Sequence, residues 1–422
     1  MLQFRQNGVS GGERLGEYEP WLSDLLRSRG INTPEKAEAF LHPSLSRLHD
    51  PMAMQDMDKA LRLIREAVDR EEGIQVYGDY DCDGVCAASI MWETLTEYAA
   101  SVGKAPKIEW RIPSRHGEGY GLNCAAVREI AREHRLLITV DCGITNHEEV
   151  RLAQLLGMRV IVTDHHQLAE TPSPADAALN PLLGSYPFRR LCGAGVALKV
   201  CQALLGMEAL RRRLDLAALA TVADLVLLAD ENRAIVSEGI SAILNTDRPG
   251  LRALLLLAGI GEKLTSTDIA FRLAPRINAG GRMEEADQCV RLLLSRDQAE
   301  AEQIARHLEE NNAARKSEQN RITAEAEDLM RTQVCFRQDL AVVVMGEGWN
   351  SGIIGLAAGN LCEKYHFPTI VLSNQNGTAT GSCRSIPGVD IHKLLSRCSD
   401  LFLRFGGHEQ AAGLTMQAEL VP

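Results

Sequence analysis

Tyr77-Gly78-Asp79-Tyr80-Asp81-Cys82-Asp83-Gly84 is the stretch around which the chain is organised. Ile74-Gln75-Val76-Tyr77 leads into it as a short apolar run of strand type, and Val85 to Ala100 beyond it carries a helical pattern. Three carboxylates at alternate positions therefore stand where a strand ends and a helix begins. In open α/β sheets that edge, outside the carboxyl ends of the strands, is where ligands bind. Acids this crowded repel one another, and a hard cation with oxygen ligands, Mg²⁺ or Mn²⁺, removes the repulsion. Alone, the stretch reads equally as a solvated acidic turn, because Asp and Gly are common turn residues.

The alternation continues downstream. Strands are expected at Ile74–Tyr77, Ile108–Ile112, Leu136–Val140 and Arg159–Thr163, with helices at Val85–Ala100, Cys124–Glu133 and His147–Leu156. This order is that of a parallel, doubly wound sheet. Two further strands run into polar residues: Val140 into Asp141-Cys142-Gly143, and Thr163 into Asp164-His165-His166. Each Asp alone could simply cap the following helix. Parallel strands deliver their C-terminal ends to one edge, so Asp79, Asp81, Asp83, Asp141, Asp164, His165 and His166 are expected to converge there. An unpaired cluster of that kind is costly, and mixed carboxylate and imidazole ligands suit Mn²⁺ well and Mg²⁺ passably. Asp224 interrupts an apolar helical run, Leu214 to Val226, and is taken as a further ligand.

The flanking regions carry packing and anion-binding features. Residues 1–70 read as a helical segment with no chemistry of their own, Pro34 opening one helix and Gly30 closing another. Cys192-Gly193-Ala194-Gly195 permits close backbone approach or the start of a helix. Arg276-Ile277-Asn278-Ala279-Gly280-Gly281-Arg282 has a composition suited to phosphate contact. Asp297 to Gln333 reads as one long, charged helix of roughly 50 Å that bridges domains. A second domain begins near 338, with strands at Leu340–Met345 and Thr369–Leu372 around a helix at Gly352–Tyr365. Gly381-Ser382-Cys383-Arg384-Ser385 and Gly406-Gly407-His408-Glu409-Gln410 follow as loops whose amides, Arg and His suit an anion.

Composition bounds the function. The net charge of −11 argues against indiscriminate nucleic-acid binding through a basic surface. Eleven scattered cysteines fit reduced thiols, and Cys82 and Cys86 lack the second pair a zinc site needs. No apolar run of about 18 residues exists and the first residues lack a signal-peptide core, so a cytoplasmic protein with no membrane contact is expected.

Taken together, GDYDCDG, VDCG, TDHH and TVAD in this order resemble the four motifs of the DHH phosphoesterase superfamily. His116-Gly117-Glu118-Gly119-Tyr120-Gly121, Leu191-Cys192-Gly193-Ala194-Gly195, Glu231-Asn232-Arg233 and Pro275 to Arg282 resemble the RecJ single-stranded-DNA exonucleases more specifically. GSCRS and GGHEQAAG look like the DHH-associated domain, which grips substrate. The resemblance implies a fold of an α/β, parallel doubly wound DHH domain (71–290), preceded by the helical segment and joined by a long helix (291–337) to a smaller α/β DHH-associated domain (338–422). It implies two Mn²⁺ ions, with Mg²⁺ as a substitute, held by Asp79, Asp81, Asp83, Asp141, His165 and Asp224, Asp141 being the bridge. Asp141, His165 and His166 are the expected catalytic residues, His166 facing the scissile phosphate and Asp164 orienting a histidine. Arg276, Asn278, Arg282 and Asn350 are expected to hold substrate, as are Ser382, Arg384, Ser385, Gly406, Gly407 and His408. The implied activity is 5′-to-3′ hydrolysis of single-stranded DNA, with a 5′-phosphate, to 5′-mononucleotides in repair and recombination, alongside replication or repair proteins, in a cleft between the domains.

Two departures stand out. Relatives usually continue into an oligonucleotide-binding fold after GGHEQAAG, so the chain is expected to be a fragment or a short form. Asn350 stands where such sequences usually have His. A phosphodiesterase for short oligonucleotides or cyclic dinucleotides is the nearest alternative, followed by a non-catalytic replication factor. The complete set of acids and histidines argues against the latter.

Overall fold

A computed structural model describes residues 14–113, 121–282 and 286–421, the side chain of Arg282 excepted. Residues 116–120 of the His116–Gly121 motif, the chain start and the Arg282 side chain thus lie outside the description. Contacts divide the described chain into two units, one of residues up to 281 with 286–306, the other of 307–421.

The first unit is built on five parallel strands: β1 (Ile74–Tyr77), β2 (Ile108–Arg111), β3 (Leu136–Val140), β4 (Arg159–Thr163) and β5 (Ala177–Leu179), in the spatial order β2-β1-β3-β4-β5. The doubly wound parallel sheet expected from the alternation is present. β5, three residues long, was too short to register in the pattern. β1, β3 and β5 are buried along their whole length, which is why they are continuous apolar runs and not alternating ones. Each fully buried Val, Leu or Ile contributes roughly 1.5–3 kcal/mol, so a run such as Leu136–Val140 is strongly held in place. The strand order reverses direction between β1 and β3, and the crevice at such a switch point is the usual binding site.

The helix after β1 starts earlier than its apolar pattern suggests. It spans Cys82–Ser101, with Asp81 as its N-cap, the carboxylate accepting from the N–H groups of Asp83 and Gly84. Asp83 therefore lies in the first helical turn, not in a loop. The run ending at Asp224 forms helix Leu214–Ala223, and Asp224 is its C-cap. The N-terminal helices Pro20–Ser28, Pro34–Leu41 and Met57–Asp69 pack through Leu15, Leu26 and Ala37 in one small cluster and through Leu61, Ile64 and Val68 along the third helix. Buried Lys199 locks the segment down, its ammonium donating to the His49 carbonyl (2.5 Å) and to Glu231 (2.9 Å). Glu231 also accepts from the His49 N–H and the Tyr186 hydroxyl.

The long helix spans Gln298–Gln333 and passes from the first unit into the second. In the second unit, β6 (Val342–Glu347), β7 (Thr369–Gln375), β8 (Thr378–Arg384), β9 (Phe402–Gly407) and β10 (Ala411–Gln417) form a mixed sheet, β6-β7-β8-β10-β9. Only β6 and β7 are parallel, joined by helix Ile354–Tyr365. One sheet face packs on that helix and on Ile322, Ala326 and Met330 of the long helix. GSCRS, expected as a loop, is the end of β8, and GGHEQAAG is the β9–β10 hairpin. Ala379, Gly381 and Cys383 alternate with Thr378, Thr380 and Ser382, the pattern of a half-buried strand. Among the described residues no helix is long and apolar enough to cross a membrane.

Candidate metal centre

Three strand ends and two helix ends bring the candidate ligands together. Asp79, Asp81 and Asp83 follow β1, Asp141 follows β3, and Asp164, His165 and His166 follow β4. Asp141 takes a left-handed backbone, φ 60°, while its N–H extends the ladder to the Thr163 carbonyl. That conformation is uncommon outside glycine and is held where surrounding structure over-determines it.

The side chains form overlapping trios. Ligand atoms of Asp79, Asp81 and Asp141 lie within 4.8 Å of one another, as do those of Asp83, His165 and Asp224, and those of Asp141, His165 and His166. Asp141 thus faces two neighbouring positions, as a bridging ligand does. His165 Nε2 is 3.1 Å from Asp141 Oδ1, 3.7 Å from Asp224 Oδ2 and 3.8 Å from Asp83 Oδ2. Adjacent ligands of an octahedral ion sit about 3 Å apart, given metal–oxygen distances of about 2.1 Å. Asp141 Oδ1 and Asp224 Oδ2 are buried and make no hydrogen bond among the described residues. Buried, unsatisfied carboxylate oxygens are expensive, and these point where an imidazole nitrogen also points. The residues present therefore fit divalent cations.

Charge in the cluster agrees. Burial, then Asp83 and the other acids, push the Asp141 carboxyl well above its usual range. Burial and Asp83 raise Asp81, and the same causes raise Asp224 to about 8. The two histidines differ. Burial lowers His165, keeping the imidazole neutral and able to ligate. Burial also opposes charge on His166, but the hydrogen bond and charge of Asp164 prevail and raise it to about 9. Asp164 itself is saturated: it accepts from the N–H groups of Ile144, His165 and His166 and from His166 Nδ1 at 2.7 Å. It orients His166, as a carboxylate beside a histidine does, and takes no place in the trios.

The cluster is held by residues whose sequence signal was read less specifically. Asp83 is clamped by the start of helix Gly193–Leu205, its two oxygens accepting from Gly193 N–H (2.6 Å) and Ala194 N–H (2.7 Å). A helix N-terminus favours such an anion. Gly193 is required by space, since a Cβ there would lie 2.5 Å from Asp141 Oδ1. Behind the first motif stands helix Ala274–Arg282. Asn278 Oδ1 accepts from the Cys82 N–H at 2.8 Å, and a Cβ on Gly281 would strike the Tyr80 carbonyl at 2.2 Å. Arg276 is buried and donates to the Arg272 and Leu257 carbonyls. Asn278 and Arg276, expected to meet substrate, thus also make contacts within the chain that brace the loop. Asn232 of Glu231-Asn232-Arg233 donates to the Leu227 and Arg190 carbonyls and pins the turn after Asp224.

In the second unit, Arg384 donates to Ser382 Oγ (3.1 Å) beside Gly355, where a Cβ would lie 2.8 Å from that hydroxyl. Asn350 Oδ1 accepts from the Gly352 N–H at 2.8 Å. Ser385 is turned away, its hydroxyl donating to the Val389 carbonyl. Gly407, φ 144°, sits so close to Ala411 that a side chain would clash, and His408 is exposed beside it.

Comparison with known proteins now bears on this geometry. The model of the DHH family, N-terminal domain, matches residues 73–229, and the DHHA1 domain matches 337–422. The single-stranded-DNA-specific exonuclease RecJ of Escherichia coli is 33% identical over 445 residues, covering 99% of this chain and 76% of that protein. The chain belongs to the RecJ family. RecJ of Bacillus subtilis is 42% identical over 410 residues, 96% of this chain and 51% of its own length. The crystal structure of RecJ in complex with Mn²⁺ from Thermus thermophilus superposes with a TM-score of 0.81 at 33% identity, over 95% of this chain and 57% of that one. The chain thus spans about half the length of its Bacillus relative.

Proposed function

We propose that the chain hydrolyses phosphodiester bonds of single-stranded DNA from the 5′ end, releasing 5′-mononucleotides, with two divalent cations, Mn²⁺ in preference to Mg²⁺. The observation that carries this reading is the set of overlapping trios, two of them sharing Asp141 and two sharing His165, with buried carboxylate oxygens that no donor among the described residues satisfies. The names of the RecJ relatives, and the manganese in the Thermus structure, support the substrate and the metal.

Asp79, Asp81 and Asp141 would hold one cation and Asp83, His165 and Asp224 the other. Bound there, the cations would supply Lewis-acid charge and lower the pKa of an attacking water. Asp141 fixes the spacing of the two positions. The Gly193 and Ala194 amides keep Asp83 aimed, and Asn278 keeps the loop from drifting. His165 stays neutral and available as a ligand. His166, cationic through Asp164, is placed to stabilise charge gathering on a phosphoryl oxygen. In-line attack at phosphorus expels the 3′-oxygen of the terminal nucleotide. Arg384, Ser382, His408, Asn350 and the Gly406-Gly407 backbone are the groups offered for the substrate's phosphates, Arg282 being a further candidate.

The test is turnover of 5′-phosphorylated strands of graded length, labelled at the 3′ end, single or annealed, with Mn²⁺. The reading predicts stepwise shortening of the single strand from its 5′ end and none for the duplex. Consumption of only the shortest oligomers would transfer the assignment to a short-oligonucleotide phosphodiesterase.

A further inference from the structure

Away from the metal centre, the first unit holds a cavity of about 570 Å³, a size that takes a small organic ligand. One wall is the C-terminal half of helix Cys82–Ser101, where Glu93 lies roughly 15 Å further along the axis than Asp83. Five arginines line the cavity: Arg211, Arg212, Arg213, Arg248 and Arg296. Arg248 is buried and saturated, pairing with both oxygens of Glu93 (2.7 Å each) and with Asp215 (3.0 Å). Arg213, 3% exposed, donates to Glu97 and to the Ala209 carbonyl, but its Nε has no hydrogen-bond partner among the described residues. Glu93, drawn onto Arg248, stays 3.8 Å from that nitrogen. Arg212 also turns to Glu97, Arg296 also turns to Glu93, and Arg211 turns away to Glu238. Four guanidiniums thus share three carboxylates, those of Glu93, Glu97 and Asp215. A buried cation short of partners is costly. Trp92 lines the same cavity, fixed by its Nε1 bond to the Ile108 carbonyl (3.1 Å) and by an edge-to-face contact with Trp110.

The geometry points to a binding site for a nucleoside 5′-monophosphate in this cavity, its phosphate on Arg212 and Arg296 and its base beside Trp92. Arg212 and Arg296 are 58% and 70% exposed, and each gives a nitrogen to one carboxylate, so most of their donors are open to a ligand. The carboxylates that hold them, Glu97 and Glu93, stand one helical turn apart, so the two guanidiniums are held from neighbouring positions on one face. A phosphate dianion matches the guanidinium fork and supplies the counter-charge that three carboxylates leave short. A flat base matches the rigid indole. Asp247, exposed among the lining residues and without an ion pair among the described residues, opposes an anion there. Such a nucleotide is what the proposed hydrolysis releases, so the choice of ligand rests on that reading, whereas the arginine excess does not.

Calorimetric titration of the full chain with thymidine 5′-monophosphate tests this, in EDTA so that no cation in the metal centre binds the phosphate. The parent should bind saturably. Arg212→Ala combined with Arg296→Ala should raise Kd roughly tenfold or more, the loss expected for charge-assisted contacts. Asp247→Asn should lower Kd. Exposed ion pairs contribute little to folding, so the Tm of the double variant without nucleotide should stay near the parent's, as should its initial rate on a 5′-phosphorylated oligothymidylate with Mn²⁺. The titration involves no turnover, so a parent that binds the nucleotide but cleaves nothing would sink the nuclease reading and leave the site standing. No binding by the parent, or equal binding by the double variant, would overturn the site and leave the arginines as a brace between helices. Inorganic phosphate that binds as tightly as the nucleotide would overturn the nucleoside assignment. Fluorescence anisotropy of the oligothymidylate in EDTA supplies the last arm: strand affinity lost in the double variant as fully as nucleotide affinity would give the arginines to the strand and overturn the proposal.

Discussion

Gly193→Ala should disable the centre through one added methyl group. A Cβ at position 193 would lie 2.5 Å from both Cβ and Oδ1 of Asp141 and 2.7 Å from its Cγ, whereas ordinary contact begins near 3.4 Å. One side must give by about 0.9 Å. The helix start cannot retreat, because the Gly193 N–H is the 2.6 Å donor to Asp83. Asp141 therefore moves, and with it the group common to two trios. A misplacement of about 1 Å at a reacting centre costs on the order of 10²-fold in rate, and overpacking costs roughly 1–3 kcal/mol of stability. The assay is kcat on a 5′-phosphorylated single strand with Mn²⁺, beside Mn²⁺ affinity by calorimetry and circular dichroism to confirm the fold. Gly195→Ala is the control, since its Cβ meets Leu191 side-chain atoms at 3.3 Å, which can yield. If Gly193→Ala retained activity and Mn²⁺ affinity within a few-fold of the parent, the placement of Asp141 would be refuted.

Further outcomes follow from the same geometry. Asp141→Asn should abolish turnover, and the Tm gain on adding Mn²⁺ should shrink, since the neutral amide replaces the carboxylate common to two of the ligand trios. Folding holds a proton on Asp224 up to about pH 8, whereas the unfolded chain loses it near pH 4. Metal-free stability should therefore be full below about pH 4 and fall as pH rises through about 8, with Mn²⁺ restoring it most at the alkaline end; a metal-free Tm that climbs over that window would contradict the cluster's charge state. Asn278→Ala should weaken Mn²⁺ binding and leave substrate KM unchanged, the reverse of what a phosphate contact would do. Lys199→Met leaves buried Glu231 without its ammonium partner and should cost about 3–5 kcal/mol in urea unfolding; a change under about 1 kcal/mol would show that the His49 and Tyr186 hydrogen bonds alone hold Glu231.

Much of the centre was legible because parallel strands impose a simple rule. Asp79, Asp141 and Asp164 each follow an apolar run, and runs in one parallel sheet end at one edge. The acids could be assigned to the edge without knowing a single distance. What could not be read was direction. Arg276 and Asn278 have the composition of a phosphate loop, but composition does not say that one guanidinium faces the Arg272 carbonyl or that the amide faces Cys82. The clamp on Asp83 joins residues far apart in sequence, and only the glycines of Cys192-Gly193-Ala194-Gly195 hinted at it. GSCRS was taken for a loop because glycine and serine suggest turns, although alternate small residues there pack against the neighbouring strands.

Manganese-edge anomalous diffraction from crystals grown with Mn²⁺ tests the central claim most directly. The account predicts two peaks, one bounded by Asp79, Asp81 and Asp141 and the other by Asp83, His165 and Asp224, with Asp141 touching both. No peak at saturating Mn²⁺, or peaks away from these carboxylates, would contradict it.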